Sequence, residues 1–197
     1  VQLNIETSKD DYGLSAARPH GVHEGKANVY SLDLSYRLSD NWQASAWYSH
    51  DNNDIYQTGR GPSGVGIKTA DQKDTGNATG VSLTGKVTSK TKLGADLSWA
   101  REKSSITQSW DSGGVTQVPD ITSTSTRIKL FAEYALQKNA DLRIDLIHER
   151  WKSDDWTWRF SNGANFQYGT ATDGTTVIVD PKQNATFAGI RYIYKFQ

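Results

Sequence analysis

The feature that most constrains the fold is an alternation of apolar and polar residues that recurs along the chain. From Tyr30 to Leu38 the even positions are apolar or aromatic, whereas Asp33 and Arg37 occupy odd positions. Successive side chains of a β-strand point to opposite faces, so this period of two predicts a strand with one apolar face and one charged face. The same pattern predicts further strands near residues 1–6, 42–49, 81–87, 92–99, 127–136, 142–149 and 190–196.

The connections between these predicted strands alternate between short and long. Short polar turns are predicted near 38–42, 88–92 and 137–141, and long loops rich in small and polar residues near 13–27, 57–76, 107–124 and 161–183. This alternation is typical of an outer-membrane barrel with short periplasmic turns and long extracellular loops. We therefore predict that residues 1–197 form one all-β domain, an antiparallel transmembrane up-and-down β-barrel of about eight strands. An even strand number predicts that both termini are periplasmic.

Composition excludes several other classes of protein. The chain has 22 Lys and Arg against 22 Asp and Glu, so no excess of positive charge favours nucleic acid as a partner. No run approaches the ~20 apolar residues of a membrane helix. The mean hydropathy of −0.66 would suit a soluble protein, but a barrel has its apolar residues at alternate positions only. The absence of methionine indicates a processed or excised polypeptide.

Charged residues in the middle of the strands separate the barrel from a soluble β-sandwich. In a sandwich the apolar faces would be buried in a shared core, and the alternation alone does not exclude that fold. A barrel lumen, however, explains why so many charges of both signs occupy the other face. The charges predicted to face the lumen are Asp33, Arg37, Lys86, Asp96, Arg127, Lys129, Glu133, Arg143, Asp145, Glu149, Arg191 and Lys195.

Aromatic residues gather at both ends of the predicted apolar faces. Tyrosine and tryptophan favour the headgroup level of a bilayer, so two such rows predict the two membrane interfaces. The predicted girdle residues near the short turns are Tyr36, Trp42, Tyr134, Tyr192, Tyr194 and Phe196, and those toward the long loops are Tyr30, Tyr48 and Trp99.

Candidate catalytic and metal-binding groups are few. No serine can be combined with a base and an orienting third group without an arbitrary choice of partners, so we predict no catalytic residues. His20, His23 and Glu24 have spacing that a metal site could use, but a solvated loop is the favoured interpretation. The same holds for the acidic pairs as calcium or lipopolysaccharide-bridging sites: Asp10 with Asp11, Asp51 with Asp54, and Asp154 with Asp155. The apolar run 175–179 is predicted to form a surface hairpin or to dock onto a partner.

Two stretches carry a resemblance to a known family. The run from Phe187 to Phe196, FAGIRYIYKF, is similar to the terminal strand of Gram-negative outer-membrane proteins, although Gln197 follows the aromatic residue. Together with the run from Leu34 to Ser49, LSYRLSDNWQASAWYS, it resembles the C-terminal part of the MtrB/PioB family of decahaem-associated outer-membrane β-barrels.

The resemblance implies a porin-like sheath that houses a periplasmic multihaem cytochrome and meets a second cytochrome at the cell surface. Haem is then expected only in the partner, and this chain has no cysteine with which to attach one. Eight strands closed on themselves would have an interior filled by their own side chains, so the sheath role requires a longer barrel. The alternatives are a self-closed structural or adhesive barrel, with the inward charges as an ionic plug, and a lipid-modifying enzyme.

Overall fold

The computed structural model describes residues 1–13, 19–60, 67–111, 114–158, 167–168, 177–178 and 181–196. These residues form an antiparallel sheet, together with a separate two-stranded pair. The strands are β1 (Gln2–Asp11), β2 (Gly21–Arg37), β3 (Trp42–Arg60), β4 (Ile67–Lys86), β5 (Thr91–Trp110), β6 (Val115–Gln117), β7 (Ile121–Gln137), β8 (Ala140–Asp154), β9 (Gln167–Tyr168), β10 (Val177–Ile178) and β11 (Lys182–Tyr194).

The eight long strands pair in the order β1-β2-β3-β4-β5-β7-β8-β11, and the short strand β6 adds to β5. Each long strand between the two edges thus pairs with the long strands before and after it in the chain, which is the up-and-down topology that the sequence predicts. Within the described part of the chain, β1 pairs only with β2 and β11 pairs only with β8. The sheet is therefore not closed, and both of its edges carry unpaired backbone groups.

The sheet is a single layer with one apolar face. Large apolar side chains on that face are exposed, including Tyr36 at 71%, Val81 at 54% and Ile190 at 73%. A soluble sandwich would cover such a face with a second sheet about 10 Å away, and the described residues contain no such layer. The exposed apolar face therefore matches a sheet that is solvated by lipid.

The strands extend well beyond the segments that alternate. β2, β3, β4 and β5 contain 17, 19, 20 and 20 residues, whereas crossing a bilayer takes ~9–11. Much of the predicted loops 13–27, 57–76 and 107–124 is consequently strand. Their bounds were too wide because the apolar-polar alternation ends where the apolar face ends, while the backbone hydrogen bonding continues through residues that are polar on both faces.

The predicted loop 161–183 lies mostly outside the described residues, as does most of the apolar run 175–179. Val177 and Ile178 pair with Tyr168 and Gln167. A short 3₁₀ helix covers Trp156–Trp158. The helical part of the described chain includes no segment long and apolar enough to span a membrane.

Candidate functional site: the charged face of the sheet

The strand register gives the sheet two chemically distinct faces. Directly opposed residues share a face, and one cross-strand row reads Leu34, Ala46, Val81, Leu97 and Ile128. We call this the outer face. The opposite, inner face carries the twelve charges predicted to face the lumen, with Lys195 placed just after the end of β11.

Asp145 is the centre of an ion network on the inner face. Its carboxylate accepts hydrogen bonds at 2.9 Å from Arg143 on the same strand and at 2.9 Å from Arg191 on β11. Arg143 also lies 3.5 Å from Glu133 on β7. Asp145 is only 5% exposed, so its charge has little water around it. Two guanidinium groups that share one buried carboxylate tie β7, β8 and β11 together through charge-assisted hydrogen bonds.

An aromatic ring forms the floor of this network. The Arg143 guanidinium lies 4.0 Å from the centre of the Phe131 ring, an arrangement typical of a cation–π contact. The ring covers Gly94 on β5, where a Cβ atom would overlap it. Glycine at this position therefore lets Phe131 lie flat on the neighbouring strand and present its face to the arginine.

The remaining predicted inward charges divide into paired and unpaired groups. Arg127 contacts Glu149 at 3.1 Å, Lys195 contacts Asp141 at 3.0 Å, and Arg37 lies 3.5 Å from Asp40 in the following turn. Four others have no ion pair with any described residue: Asp33, Lys86, Asp96 and Lys129. These unpaired charges are available to water or to a partner molecule.

The inner face contains further acidic residues that lie outside the strands predicted from the sequence. We call the end of the sheet with the long connections the upper end and the end with the short turns the lower end. Asp51, Asp74 and Glu102 occupy inner-face positions in the upper parts of β3, β4 and β5. Ser123 donates a hydrogen bond to Glu102 at 3.2 Å. Asp141 is the further inner-face acid that pairs with Lys195. If the alternation is continued beyond the apolar segments, it places all four of these acidic residues on the inner face.

The candidate metal-binding groups are not brought together. His23 hydrogen-bonds Thr58 at 2.7 Å, and Glu24 pairs with Lys26. Asp51 and Asp54 lie on opposite faces of β3, so they cannot act as one acidic pair. Asp155 accepts hydrogen bonds from the backbone and hydroxyl of Thr157. Among the residues that the structure describes, no group of three or more His, Cys, Asp or Glu side chains could hold a metal ion.

The predicted girdle residues within the strands lie on the outer face. Near the upper edge, Tyr48 donates a hydrogen bond at 2.9 Å to Asn77, which is also 2.9 Å from the His50 ring. Tyr30 stacks against the same ring, with 6.3 Å between ring centroids. At the other edge Tyr194 makes an edge-on contact with Phe196, at 4.9 Å between centroids. We call the outer-face region between these two aromatic rows the apolar band.

The lower aromatic row measures the tilt of the strands. Tyr36 on β2 shares a cross-strand row with Ala188 on β11, whereas Tyr194, the last girdle residue within β11, lies six residues farther along. At ~3.3 Å per residue and ~4.8 Å per strand, the row descends roughly 20 Å over about 29 Å of sheet width. A band that lies flat in a membrane therefore requires strands tilted by about 35°, which is within the range for membrane barrels.

A family model matches this combination of faces and topology over nearly the whole chain. The model is described as "Putative outer membrane beta-barrel porin, MtrB/PioB" and covers residues 1–196. The chain belongs to the MtrB/PioB family. No curated protein matches the sequence of this MtrB/PioB protein.

Solved outer-membrane proteins share the fold of this MtrB/PioB chain. The copper transporter OprC superposes with a TM-score of 0.64 over 91% of the chain at 12% identity. BauA, the ferric preacinetobactin receptor from Acinetobacter baumannii, superposes with a TM-score of 0.62 over 88% of the chain at 13% identity. The chain spans 30% and 29% of the length of these two proteins. This MtrB/PioB chain is thus an outer-membrane β-barrel protein of porin type.

Proposed function

We propose that this chain forms part of the wall of a wide outer-membrane barrel that houses a multihaem cytochrome and carries electrons across the outer membrane through it. The haem belongs to partner cytochromes, one periplasmic and one at the cell surface. The wall itself has no catalytic role and acts as an insulating scaffold. In this orientation the short turns and both termini are periplasmic, and the long connections are extracellular.

The observation that carries the proposal is the open sheet with two unpaired edges. Backbone groups that face hydrocarbon without a partner cost several kcal/mol each, so a membrane sheet must be closed. The superposition on about a third of much larger barrels supports closure by additional strands. A barrel wider than eight strands leaves an interior that its own side chains cannot fill.

The state of the inner face supports a wet lumen with a partner in it. The basic side chains of Arg37, Arg191 and Lys195 are 73%, 64% and 65% exposed, and the acidic side chain of Glu149 is 52% exposed. A closed eight-stranded barrel would pack such side chains against the opposite wall. Exposed charges of both signs instead suit the polar surface of a protein seated inside.

The test is purification of the affinity-tagged, full-length natural protein from outer membranes in mild detergent, followed by haem absorbance and mass measurement. We expect a haem-bearing assembly much larger than the 21.8 kDa of this chain. Reconstituted into vesicles that enclose a redox dye, the assembly should reduce the dye when a reductant is added outside.

A charge-reversal variant links the result to the inner face. Lys86→Glu with Lys129→Glu should lower the haem yield, because both lysines are inner-face residues with no ion pair to a described residue and both changes place negative charge on the lumen wall. The matched control is Lys9→Glu with Lys26→Glu, two lysines on the outer face, which should leave the haem yield unchanged. A folded, haem-free species of about 22 kDa would instead indicate a self-closed barrel and overturn the proposal.

A further inference from the structure

The inner face of β1 to β5 carries charge of one sign over most of its height. In the described part of these five strands it holds seven carboxylates, and every inward-facing Lys or Arg lies at a strand end, above or below them. The carboxylates are Glu6, Asp10, Asp33, Asp51, Asp74, Asp96 and Glu102. The bases are Arg37, Lys86 and Lys92 at the lower ends and Lys68 at the upper end of β4. We call the seven carboxylates and the surface between them the acidic wall.

No base of the sheet neutralises these carboxylates. None of the seven forms an ion pair with any residue that the structure describes. Asp74 accepts a hydrogen bond at 2.9 Å from the neutral amide of Gln72. Lys129 on β7 stands directly opposite Asp96, yet the two form no ion pair. All seven residues are exposed or half-buried, so their charge acts on whatever fills the lumen.

The inner face of β7, β8 and β11 shows the contrast. All four of its acids are paired with a base: Glu133 and Asp145 with Arg143, Asp141 with Lys195, and Glu149 with Arg127. On the part of the inner face that the structure describes, unpaired negative charge is therefore confined to the acidic wall.

The acidic wall is smooth at the level of the apolar band. Three cross-strand rows, which begin at Ser35, Asp33 and Ser31 on β2, place twelve inward positions on β2 to β5. Nine of them are serine, glycine or alanine: Ser31, Ser35, Ser45, Ser49, Ala78, Gly80, Ser82, Ser98 and Ala100. Short side chains let another protein approach the backbone closely. The same rows on the other three strands hold larger residues, among them Glu149 and Trp151.

Trp47 is the one large side chain in those rows of the acidic wall. It stands opposite Asp33, and its ring covers Gly80 on β4, where a Cβ atom would overlap it. The ring therefore lies along the sheet and does not obstruct the lumen. It remains 37% exposed on a face that is otherwise polar. Tryptophan is the type of residue that contributes most when a protein partner buries it.

We propose that the acidic wall is the docking surface for a basic, lysine-rich face of the protein seated in the lumen, with Trp47 packed against that protein. This inference rests on the proposed function and adds which part of the wall the partner contacts and what charge it presents. Carboxylates of one sign on a concave wall attract and orient a basic surface. Lys86 and Lys129, which border the wall, then contact acidic groups at the margin of that basic face.

The smooth surface favours a protein over small cations as the occupant. Carboxylates that line a water-filled cation pathway act through water and require no short side chains around them. A protein surface in van der Waals contact does require them, because long side chains would hold it away from the wall. The exposed ring of Trp47 also offers nothing to a hydrated cation that the carboxylates do not offer already.

The experiment measures haem retained by the tagged, full-length protein from outer membranes during washes of increasing salt. The triple variant Asp33→Asn, Asp51→Asn, Asp96→Asn should retain about tenfold less haem than the wild type. The remaining binding should depend less on salt, because fewer charged contacts are left to screen. The matched control, Asp11→Asn, Asp54→Asn, Asp71→Asn, removes the same charge from the outer face of the same half and should retain the wild-type amount.

A second measurement uses the wild-type assembly alone and stays decisive if the triple variant does not fold. A carbodiimide joins carboxylates to lysines that contact them, and mass spectrometry locates the joined residues. We expect links from Asp33, Asp51, Asp96 or Glu102 to lysines of the haem-bearing partner.

The outcomes separate this inference from the proposed function. Haem-bearing wild type without such links, or unchanged haem retention by the folded triple variant, would overturn the acidic wall as the docking surface and leave the proposed function standing. A haem-free wild-type protein that conducts cations selectively across a planar bilayer would overturn both, because the wall would then be a cation pathway.

Discussion

Asp145 is the residue on which the inner-face network depends, because it holds two arginines at once and is nearly inaccessible to water. We predict that Asp145→Asn lowers the free energy of unfolding by about 2 kcal/mol, since Arg143 and Arg191 lose the charge that they share. The loss should appear as a lower temperature for disappearance of the heat-modifiable folded band in detergent.

The matched control for this change is Asp40→Asn. Its side chain is 98% exposed and its contact with Arg37 lies in a turn, so solvent screens the pair and no measurable change is expected. If the network does not stabilise the fold, the folded bands of the two variants will disappear at the same temperature.

Asp120 provides a pH-dependent contact above the membrane. Hydrogen bonds from Lys103 and Ser105 hold the pKa of its carboxyl below the ordinary value. A lowered pKa means that the contact stabilises the folded state above the ordinary pKa of an aspartate, about 4, and that this stabilisation is lost as the pH falls through the lowered value. We expect protection of the 115–120 backbone against hydrogen exchange, corrected for intrinsic rates, to fall in that acidic range.

The variant Asp120→Asn separates this titration from general acid unfolding. It should show the reduced protection of residues 115–120 already at neutral pH and no further acid-dependent step there. If the wild type and the variant have the same pH profile, Asp120 is not the titrating group.

At the scale of elements, each strand has a part that faces lipid and a part that faces water. On β7, Leu130 lies in the apolar band and Thr122 lies eight residues away on the same face, above the band. Leu130→Arg should destabilise the barrel by about 2–4 kcal/mol, and Thr122→Arg by about 1 kcal/mol or less. Denaturant unfolding in lipid vesicles measures both, and equal effects would contradict the position of the band.

The strands show which part of the fold can be predicted from sequence. Where one face meets lipid, residues such as Leu34 and Asp33 must alternate, and the topology and short turns follow from that pattern. Above the band both faces meet water, so Asn52 and Asn53 carry no signal of which side faces in. The strand continues there because its neighbours supply hydrogen bonds, which depends on pairing across the sheet and not on local sequence.

For the candidate site, the sequence predicts which residues share a face but not which of them form ion pairs. Parity alone assigns Arg143 and Asp145 to one face, because they are two positions apart. Which charges pair depends on the register between β7, β8 and β11, and on the space over Gly94 that admits the Phe131 ring. Asp96 and Lys129 stand directly opposite each other, yet form no ion pair, so opposition in the sheet does not by itself predict a contact.

At the scale of the whole molecule, the direction in which the barrel crosses the membrane can be tested with single cysteines, since residues 1–197 contain none. Asp54→Cys lies in the upper part of β3, and Asp40→Cys lies in a short turn at the opposite end. We predict that a membrane-impermeant maleimide labels Asp54→Cys on intact cells, and labels Asp40→Cys only after the outer membrane is permeabilised. The reverse pattern would place the short turns outside.

The long strands also have a mechanical consequence. β3 runs unbroken for 19 residues from Trp42 near the lower turns to Arg60, far above the apolar band, and its neighbours on both sides hold it over that distance. A hydrogen-bonded ladder of this kind has no hinge at the membrane surface. A force applied to the upper ends of the strands, by a docked protein or by a neighbouring cell, is therefore transmitted along the strands to the lower turns and is not absorbed by flexible loops.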